Sequence, residues 1–592
     1  MSTQFPDNNC RRWPGCLLKI LVLVILLVAG LFYAVLVYPA WGGLWFRDHG
    51  ESIPITPAWA LECWVWEDDV NTAAYVEEML ADYRKHDFPV RTILIDSPWS
   101  MRYNDFIVDT DRYPDPEAFF ARLEDQDYRV VLWMTCMVNS ENDDTAIHDS
   151  SAWFNEAAGA EYLAGGDYQV DWWKGRGGFV DYTNPAAMAW WRGLQQDVFD
   201  WGIDGWKLDG TATFFSSMLG SVPIPYQKTH SGYMTMRTYM DHYYRGEYQH
   251  GLSQNPEFIT LSRAIDNMIP YTHVRGFAPL DAAPVTWVGD QDHTWKEEEE
   301  GLEEALRDIL ESARKGYGVI GSDVGGFSGG DVPPKLYVRW AQFSTFCGLF
   351  LNGGHGERRP SHWEDATRTE IREAMWRHTE LVPYIFSHIV LQHRGGDTLM
   401  RPLDDGSYHY LFGDAYLVAP IHTPEPERTV TLPEGRWRWL YDDAAVIEGP
   451  RKVTRDFELD TYPVYIRDGA IVPMRISRDY TGIGDETWAD YLTLSIYPHG
   501  ENSFEVFHPK AKGDSSTTVR VQAQQAETRV TLEGARTPHI LRVFSERAPA
   551  AVTLDGAELA AGEAWQYDGE DNRLIVRTDD YTKGVYIIRY GE

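Results

Sequence analysis

Short apolar runs alternate with amphipathic helical stretches from about residue 59 to residue 395, and this alternation restricts the fold more than any other feature. It is typical of repeated strand and helix units that build a parallel sheet. The predicted strands are Leu61–Trp66, Arg91–Ile95, Arg129–Thr135 and Gly205–Leu208, and the predicted helices are Asn71–His86, Pro116–Asp125 and Pro185–Trp201. We therefore expect an α/β domain with helices packed around parallel strands.

Polar residues follow three of these strands. Asp96 follows the second strand, Asn139 lies beyond the third, and Asp209 follows the strand at Gly205–Leu208. Catalytic residues of a (β/α)8 barrel lie at the carboxyl ends of its strands, so the pattern favours a TIM barrel over residues 59–395. A doubly wound sheet would show the same alternation, but no glycine-rich phosphate loop follows any strand, so the usual signature of nucleotide binding is missing.

After about Leu399 the pattern changes to short alternating segments separated by turns, which is typical of all-β domains. Examples are Thr429–Leu432, Val464–Ile466, Leu492–Ser495 and Thr518–Gln522. We expect two C-terminal all-β domains, at residues 396–478 and 479–592.

One apolar run without a charged residue, Ile20–Tyr38, is about long enough to cross a bilayer as a helix. Arg11, Arg12 and Lys19 precede it, so the positive-inside rule places the N-terminus in the cytoplasm and the domains after the run in the periplasm or another extracytoplasmic space. A cleaved signal peptide is the alternative, although the run exceeds the roughly 7–15 apolar residues of such peptides. The domains predicted here are a cytoplasmic tail at 1–19, a transmembrane anchor at 20–40 and a linker at 41–58.

The composition excludes some partners and cofactors. Asp and Glu total 89 against 53 Lys and Arg, a formal net charge of −36, whereas nucleic-acid binding needs clustered basic residues. The five Cys are scattered, and no Cys-x-x-Cys or His/Cys cluster occurs, so we predict no disulfide framework, metal site or cofactor. The 24 Trp and 33 Tyr fit either thick packing or surfaces on which sugars stack.

Two segments resemble glycoside hydrolase family 31. Gly202–Asp209 is similar to the family's nucleophile strand, and Trp287–Gln291 to its Trp-x-Gly-Asp acid/base loop. The resemblance implies that Asp209 is the nucleophile and Asp290 the acid/base of a retaining α-glycosidase. Such cleavage needs one carboxylate at the anomeric carbon and one protonated carboxyl at the leaving oxygen. Asp292 is the alternative acid, less favoured because the family loop places its acid directly after Gly.

Further motifs resemble sugar-binding parts of the same family. Arg275 lies fifteen residues before Asp290, Gly321–Phe327 resembles a Gly-His-Asp-Ile-Gly-Gly-Phe strand end, and His355 follows a family-like helix at Tyr337–Phe343. The resemblance spans about residues 59–474. The implied substrate-binding residues are Asp96, Trp133, Lys207, Arg275, Trp287, Asp323 and His355.

The two acids have opposite electrostatic requirements. Asp209 must be ionised, and strand alternation should point Lys207 to the same face as a compensating cation. Asp290 must hold a proton near neutral pH. We expect burial against Trp287 and repulsion from Asp209 to promote this.

Some positions differ from the family pattern. No N-terminal β-sandwich is expected, because only about twenty residues separate the apolar run from the first strand. Gly210–Ala212 follow Asp209 where an acidic residue is common, and Ser322 stands where His is common. These differences leave the identity of the sugar open.

The expected function is exo-acting hydrolysis of a terminal α-linked hexose from an oligosaccharide or glycoside through a covalent glycosyl-enzyme. An α-glucosidase-like activity is favoured because glucose is the family's commonest sugar. Galactose, xylose and a sulfonated sugar stay alternatives. So do an α-transglycosylase, which shares the intermediate, and a non-catalytic carbohydrate-binding protein at the membrane.

Overall fold

The computed structural model describes residues 13–34, 52–68, 70–97, 99–142, 152–209, 226–268, 271–509, 515–535, 537–579 and 583–591. The end of the predicted membrane span, most of the predicted tail and linker, and Gly210–Ala212 lie outside these ranges. A helix occupies Trp13–Phe32. Within the ranges given above, the structure contains no helix that is both long and apolar enough to cross a membrane.

Eight parallel strands form the predicted barrel. They are β1 (Cys63–Glu67), β2 (Val90–Ile95), β3 (Arg129–Met134), β4 (Gly205–Leu208), β5 (Ile259–Arg263), β6 (Val285–Trp287), β7 (Ile320–Gly321) and β8 (Leu351–Asn352). Their order in the sheet is β7-β6-β5-β4-β3-β2-β1-β8. A parallel bridge between Asp323, just after β7, and Leu351 on β8 brings the sheet almost to closure. The barrel prediction is thus confirmed.

Helices surround this sheet. They span Ala73–Lys85, Pro116–Asp125, Ala152–Gly159, Pro185–Asp200, Met236–Gln254, Leu302–Ala313, Pro334–Ser344, Asp365–Glu380 and Val382–His393. Local chemistry starts several of them: the Thr72 hydroxyl accepts a hydrogen bond from the Tyr75 amide, and the Asn184 side chain caps the helix whose first residue is Pro185. These capped starts explain why helix positions could be predicted from sequence.

The barrel strands are largely buried because helices cover the outside and side chains fill the inside. All five residues of β1 are buried, as are the last five of β3. Polar side chains therefore concentrate where the strands end, at the rim that carries the candidate site.

Small strands lie at this rim, in the connections between barrel strands, and the sequence patterns did not predict them. They are Met137–Asn142, Val170–Trp172, Gly175–Phe179, Tyr226–Thr229, Gly232–Thr235, Ile265–Met268 and Tyr271–Arg275. The charge run Glu297–Glu300 contains a 3-10 turn at Glu297–Glu299 ahead of the helix that begins at Leu302.

The C-terminal third is all-β, as predicted. One six-stranded sheet contains Met400–Pro402, Tyr410–Phe412, Tyr416–Val418, Glu427–Trp439, Asp442–Asp456 and Val464–Arg467. A five-stranded sheet contains Ile471–Met474, Leu492–Ile496, His539–Phe544, Trp565–Asp568 and Arg573–Thr578. Another six-stranded sheet contains Glu501–Phe507, Ser516–Ala523, Glu527–Gly534, Pro549–Leu554, Ala557–Glu558 and Lys583–Tyr590. The boundaries 395/396 and 478/479 stay predictions.

Candidate active site

Asp209 lies at the carboxyl end of β4, where its amide donates to the Met134 carbonyl of β3 at 3.0 Å. The indole Nε1 of Trp133 donates to Oδ2 of Asp209 at 3.0 Å, and Nε of Arg263 donates to Oδ1 at 2.7 Å. Burial raises the pKa of Asp209, but the charges of Arg263 and Lys207 outweigh burial and lower the pKa to about 2. The carboxylate is therefore ionised at neutral pH.

Arg263, the last residue of β5, joins the two acids. While its Nε donates to Asp209, its Nη2 lies 3.1 Å from Oδ2 of Asp290. The guanidinium carbon lies 4.8 Å from the centroid of the Trp287 ring, a cation–π distance. Because one planar group contacts both carboxylates, Asp209 and Asp290 lie close together at the rim of the barrel.

The surroundings of Asp290 differ from the expectation. Its side chain is 43 % exposed and pairs with Arg263, whereas we expected burial against Trp287. Gly289, with φ of +104°, turns the chain between these two residues in a conformation that favours glycine. Trp287 is 1 % exposed and lies under the cations, so it supports the site from beneath instead of lining the pocket.

Lys207 is a buried cation at the centre of the site. Its Nζ lies 2.6 Å from Oδ2 of Asp96, which follows β2, and 4.4 Å from the centroid of the Trp66 ring. Burial lowers the pKa of Lys207, but the charges of Asp96 and then Asp209 raise it above its ordinary value. Lys207 is thus charged and stabilises the negative charge on both carboxylates.

Asp323, two residues after β7, is a second buried acid with a different charge state. It accepts a hydrogen bond from Nε1 of Trp66 at 3.2 Å. Burial raises its pKa to about 8, although the charge of Lys207 opposes this. Asp323 is therefore largely protonated at neutral pH and can donate as well as accept hydrogen bonds.

His355, on the loop after β8, contacts a carboxylate that the sequence did not indicate. Its Nε2 lies 3.0 Å from Oδ2 of Asp68, a residue directly after β1. Burial, and then the charge of Asp96, raise the pKa of Asp68 to about 6. The Phe327 ring packs against the imidazole with 4.7 Å between centroids. Asp68 thus joins the set of candidate site residues.

The structure does not bring Arg275 to this cluster. Its guanidinium lies 2.7 Å from Asp308 and 3.0 Å from Glu311, two residues of one barrel helix. The charge of Arg275 is therefore compensated by these two carboxylates and not by Asp209. The arginine beside Asp209 and Asp290 is Arg263, which corrects the prediction for Arg275.

A sequence signal for the two missed residues existed. Arg263 is the last residue of β5 and Asp68 directly follows β1, so both lie at strand ends, as Asp209 does.

Asp292, the alternative acid, is engaged elsewhere. Its Oδ1 accepts from the Ser328 hydroxyl at 2.5 Å, and its amide donates to the Glu300 carbonyl at 2.7 Å. The bond to Ser328 ties the Asp292 loop to the loop after β7, and the bond to Glu300 closes the Asp292 loop on itself. Asp292 therefore offers a matched control for Asp290.

The site contains acids in contrasting environments around one buried lysine and one buried arginine. Such contrast allows one carboxyl to act as nucleophile and another to carry a proton. Within the described ranges, no three His, Cys, Asp or Glu side chains are grouped so as to hold a metal ion. Cys63, Cys136 and Cys347 are buried, and none of them forms a disulfide in the part of the chain that the structure describes.

Comparisons with known proteins agree with this architecture. An alpha-xylosidase from Emericella nidulans is 29 % identical over 444 residues, which cover 71 % of this chain and 54 % of the relative. Alpha-glucosidase 2 from Bacillus thermoamyloliquefaciens is 25 % identical over 476 residues, covering 76 % and 57 %. The chain thus spans little more than half the length of these curated relatives.

A solved structure shares the fold. The family 31 dextranase of Flavobacterium johnsoniae, in a mutant complexed with isomaltotriose, matches with a TM-score of 0.79 at 20 % identity, over 91 % of this chain and 71 % of that one. The model of the glycosyl hydrolases family 31 TIM-barrel domain matches residues 53–388, and that of the family's C-terminal domain matches residues 395–472. Because these matches cover more than half of the sequence, the chain belongs to glycoside hydrolase family 31.

Proposed function

We propose that this chain is a retaining, exo-acting α-glycosidase that hydrolyses a terminal α-linked hexose, with α-glucosidase-like specificity. The observation that carries the proposal is the single guanidinium of Arg263, which contacts both Asp209 and Asp290. A retaining mechanism needs two carboxyl groups close together on opposite sides of one glycosidic bond, and inversion needs space for a water between them. Two carboxyl groups held by one guanidinium fit the first requirement.

Each acid has a defined task in this mechanism. Asp209 attacks the anomeric carbon while Asp290 gives its proton to the leaving glycosidic oxygen, so the C–O bond breaks and a glycosyl-enzyme forms. Asp290, now ionised, then takes a proton from water, and the resulting hydroxide oxygen attacks the anomeric carbon and releases Asp209. Each of the two steps inverts the configuration of the anomeric carbon, so the configuration is retained overall.

The remaining polar groups are proposed to hold the terminal sugar. Asp96, Lys207, Asp323, Asp68 and His355 are linked to one another by ion pairs or by their charges. Their mixture of donors and acceptors fits a ring of hydroxyl groups. A site with many partners for hydroxyl groups supports recognition of one sugar unit at a chain end.

Trp133 is proposed to act on the nucleophile. The family resemblance implied that Trp133 binds the substrate, but its ring is 3 % exposed and its N–H donates to Asp209. That hydrogen bond favours the ionised carboxylate. The sugar-facing wall, if formed by aromatic residues, must come from elsewhere on the rim.

The test is hydrolysis of a panel of 4-nitrophenyl α-glycosides by the intact protein. We expect release of 4-nitrophenol from the α-glucoside, and loss by at least about 10⁴-fold in Asp209→Asn, since removing a nucleophile of this kind costs rates on that order. Asp292→Asn is the matched control and should keep its rate. Turnover in Asp209→Asn equal to the wild type would remove Asp209 from the mechanism.

The same panel addresses the second candidate, α-xylosidase activity, which is favoured by the similarity to the alpha-xylosidase from Emericella nidulans. Faster release from the α-xyloside than from the α-glucoside would select it. Fastest release from the α-galactoside would select the further alternative, α-galactosidase activity. Transglycosylation is distinguished by analysing products at high acceptor sugar concentration, because both reactions share the glycosyl-enzyme.

We also propose that Ile20–Tyr38 anchors the chain in a membrane, with the N-terminus cytoplasmic and the catalytic domain in the periplasm or another extracytoplasmic space. The support is the uncharged sequence, the preceding basic residues Arg11 and Arg12, and the exposed apolar side chains from Leu17 to Phe32. Cell fractionation tests this. Recovery of the full-length chain in the soluble fraction would overturn it.

A further inference from the structure

A small hairpin lies in the connection between β3 and β4. Its strands are Val170–Trp172 and Gly175–Phe179, and Trp173 and Lys174 form the two-residue turn between them. The second of these strands also pairs with Met137–Asn142, which follows β3. The hairpin is therefore joined to the carboxyl end of a barrel strand, on the side of the barrel that carries the candidate site.

Asn139, which was noted in the sequence only as a polar residue beyond β3, holds this turn. Its side chain is fully buried. Oδ1 accepts a hydrogen bond from the indole N–H of Trp172 at 2.9 Å, and Nδ2 donates to the Lys174 carbonyl and to Oδ1 of Asn142, each at 2.9 Å. Because both ends of the buried carboxamide are engaged, the turn has a defined position relative to the barrel.

A series of side-chain contacts connects the turn with the proposed nucleophile. The ring centroid of Tyr103 lies 6.2 Å from that of Trp172 and 6.0 Å from that of Trp133, whose N–H donates to Asp209. Nζ of Lys174 lies 5.0 Å from the centroid of the same Tyr103 ring, a cation–π distance. The turn thus packs on the side chains that support Asp209.

Lys174 also acts on the groups proposed to hold the terminal sugar. Burial, and then the charge of Asp96, raise the pKa of Asp68, and Lys174 is one of the cations whose charge lowers it, after Lys207 and His355. Electrostatic effects weaken with distance. Together with the ring contacts, this effect indicates that the turn borders the pocket.

Trp173 occupies the exposed side of the turn. It is 45 % exposed, whereas its neighbour Trp172 is 5 % exposed, and the two rings pack edge to face with 5.1 Å between centroids. A single exposed apolar side chain is ordinary on a protein surface. Trp173 differs in its place, because the turn that presents it is fixed by Asn139 and lies at the border of the pocket.

We propose that Trp173 forms a wall of the subsite for the sugar unit on the leaving-group side of the cleaved bond, and that Asn139 is the positioning residue for this wall. The inference rests on the proposed function and extends it. An exo-acting enzyme holds one terminal sugar in its pocket, so the next unit of the oligosaccharide lies at the rim. The indole face packs there against the C–H groups of that unit.

The test compares substrates with and without a sugar as leaving group. The full-length protein is assayed on maltose, on isomaltose and on α-glucosyl fluoride, whose leaving group is too small to reach the rim. Trp173→Ala should lower the ratio of kcat/KM for the faster disaccharide to kcat/KM for the fluoride by about tenfold, mainly through a higher KM for the disaccharide. Its pH profile should keep the wild-type shape, which distinguishes a lost subsite from a lost proton donor.

Asn139→Asp should lower the same ratio, because a carboxylate cannot donate to the Lys174 carbonyl. A variant that is merely less stable would lose activity on both substrates equally, so an unchanged ratio in folded Asn139→Asp would exclude the positioning role. Asn139→Ser is the second variant if Asn139→Asp does not fold.

Tyr233→Ala is the matched control. Tyr233 is 80 % exposed on another hairpin, whose backbone bonds to Gly165 and to the Asp181 side chain and not to Asn139 or its partners. The ratio should stay at the wild-type value in this variant.

Hydrolysis of the fluoride by the wild type reports the proposed function by itself, and no hydrolysis would overturn that function together with this inference. Where the fluoride is hydrolysed, an unchanged ratio in Trp173→Ala, or an equal decrease in Tyr233→Ala, would overturn the subsite and leave the proposed function standing.

Discussion

Nε of Arg263 donates to Oδ1 of Asp209 at 2.7 Å in a largely buried setting. This contact, against the opposing effect of burial, is a main reason why the pKa of Asp209 is as low as about 2. Asp209 is reactive only as a carboxylate, so activity is present above this pKa and lost as the pH falls through it. Arg263→Gln should raise the pKa of Asp209, move the acid limb of the kcat/KM profile to higher pH, and lower kcat/KM by about 100-fold or more.

Arg275→Lys is the comparison for this prediction. Its charge is compensated by Asp308 and Glu311 outside the cluster, and lysine retains that charge. We expect the folded variant to keep the acid limb of the wild type. An unchanged acid limb in Arg263→Gln, together with a shifted one in Arg275→Lys, would contradict the placement of Arg263 and restore the prediction made from sequence spacing.

Substitution of Asp290 should lower kcat/KM more strongly for a substrate with a poorer leaving group. An acid that protonates the leaving oxygen is needed for a disaccharide and hardly for a glycosyl fluoride. Asp290→Asn should therefore lose about 10²–10⁴-fold in kcat/KM on the disaccharide and far less on the fluoride. Asp292, bonded to Ser328, serves as control, and Asp292→Asn should resemble the wild type on both substrates. Equal losses on the two substrates would exclude Asp290 as the acid.

The barrel and the position of Asp209 at its rim could be predicted because the signals are local, whereas Asp290 is implied only by the family resemblance. Alternation of strands and helices, and polar residues directly after apolar runs, are visible within a few residues of sequence. The same holds for the capped helix starts at Thr72 and Asn184.

Local sequence signals could not decide whether Arg263 or Arg275 lies beside the two acids. An inserted hairpin pairs Ile265 with Arg275 and carries the latter toward a barrel helix, while Arg263 ends a barrel strand. Spacing from Asp290 does not reveal which guanidinium turns inward. The Asp68–His355 contact joins the first strand to the loop after the last, so it exists only once the barrel closes. The surroundings of Asp290 likewise depend on a turn at Gly289 and not on the neighbouring Trp.

The Asp68–His355 ion pair should affect substrate binding more than the chemical step. The two side chains lie 3.0 Å apart beside Asp96, among the groups proposed to hold the sugar. Asp68→Asn should raise KM about tenfold and change kcat much less, because the chemistry is assigned to Asp209 and Asp290. A double-mutant cycle with His355→Asn measures the coupling. Strictly additive effects of the two substitutions would show that the pair does not act as a unit.

Asp323 should make the protein less stable as the pH rises. Burial raises its pKa to about 8, above the ordinary value of 3.8, so the folded state binds a proton that the unfolded state has lost. Its contribution to the free energy of unfolding is therefore complete below pH 4 and disappears as the pH rises toward 8, by up to about 1.4 kcal/mol per pH unit.

Asp323→Asn cannot ionise but keeps an acceptor for the Trp66 indole N–H. Denaturant unfolding between pH 5 and 7 should show a flatter pH dependence in this variant than in the wild type, and Asp292→Asn should retain the wild-type slope. Identical slopes in Asp323→Asn and the wild type would mean that the buried acid is already ionised in the folded protein.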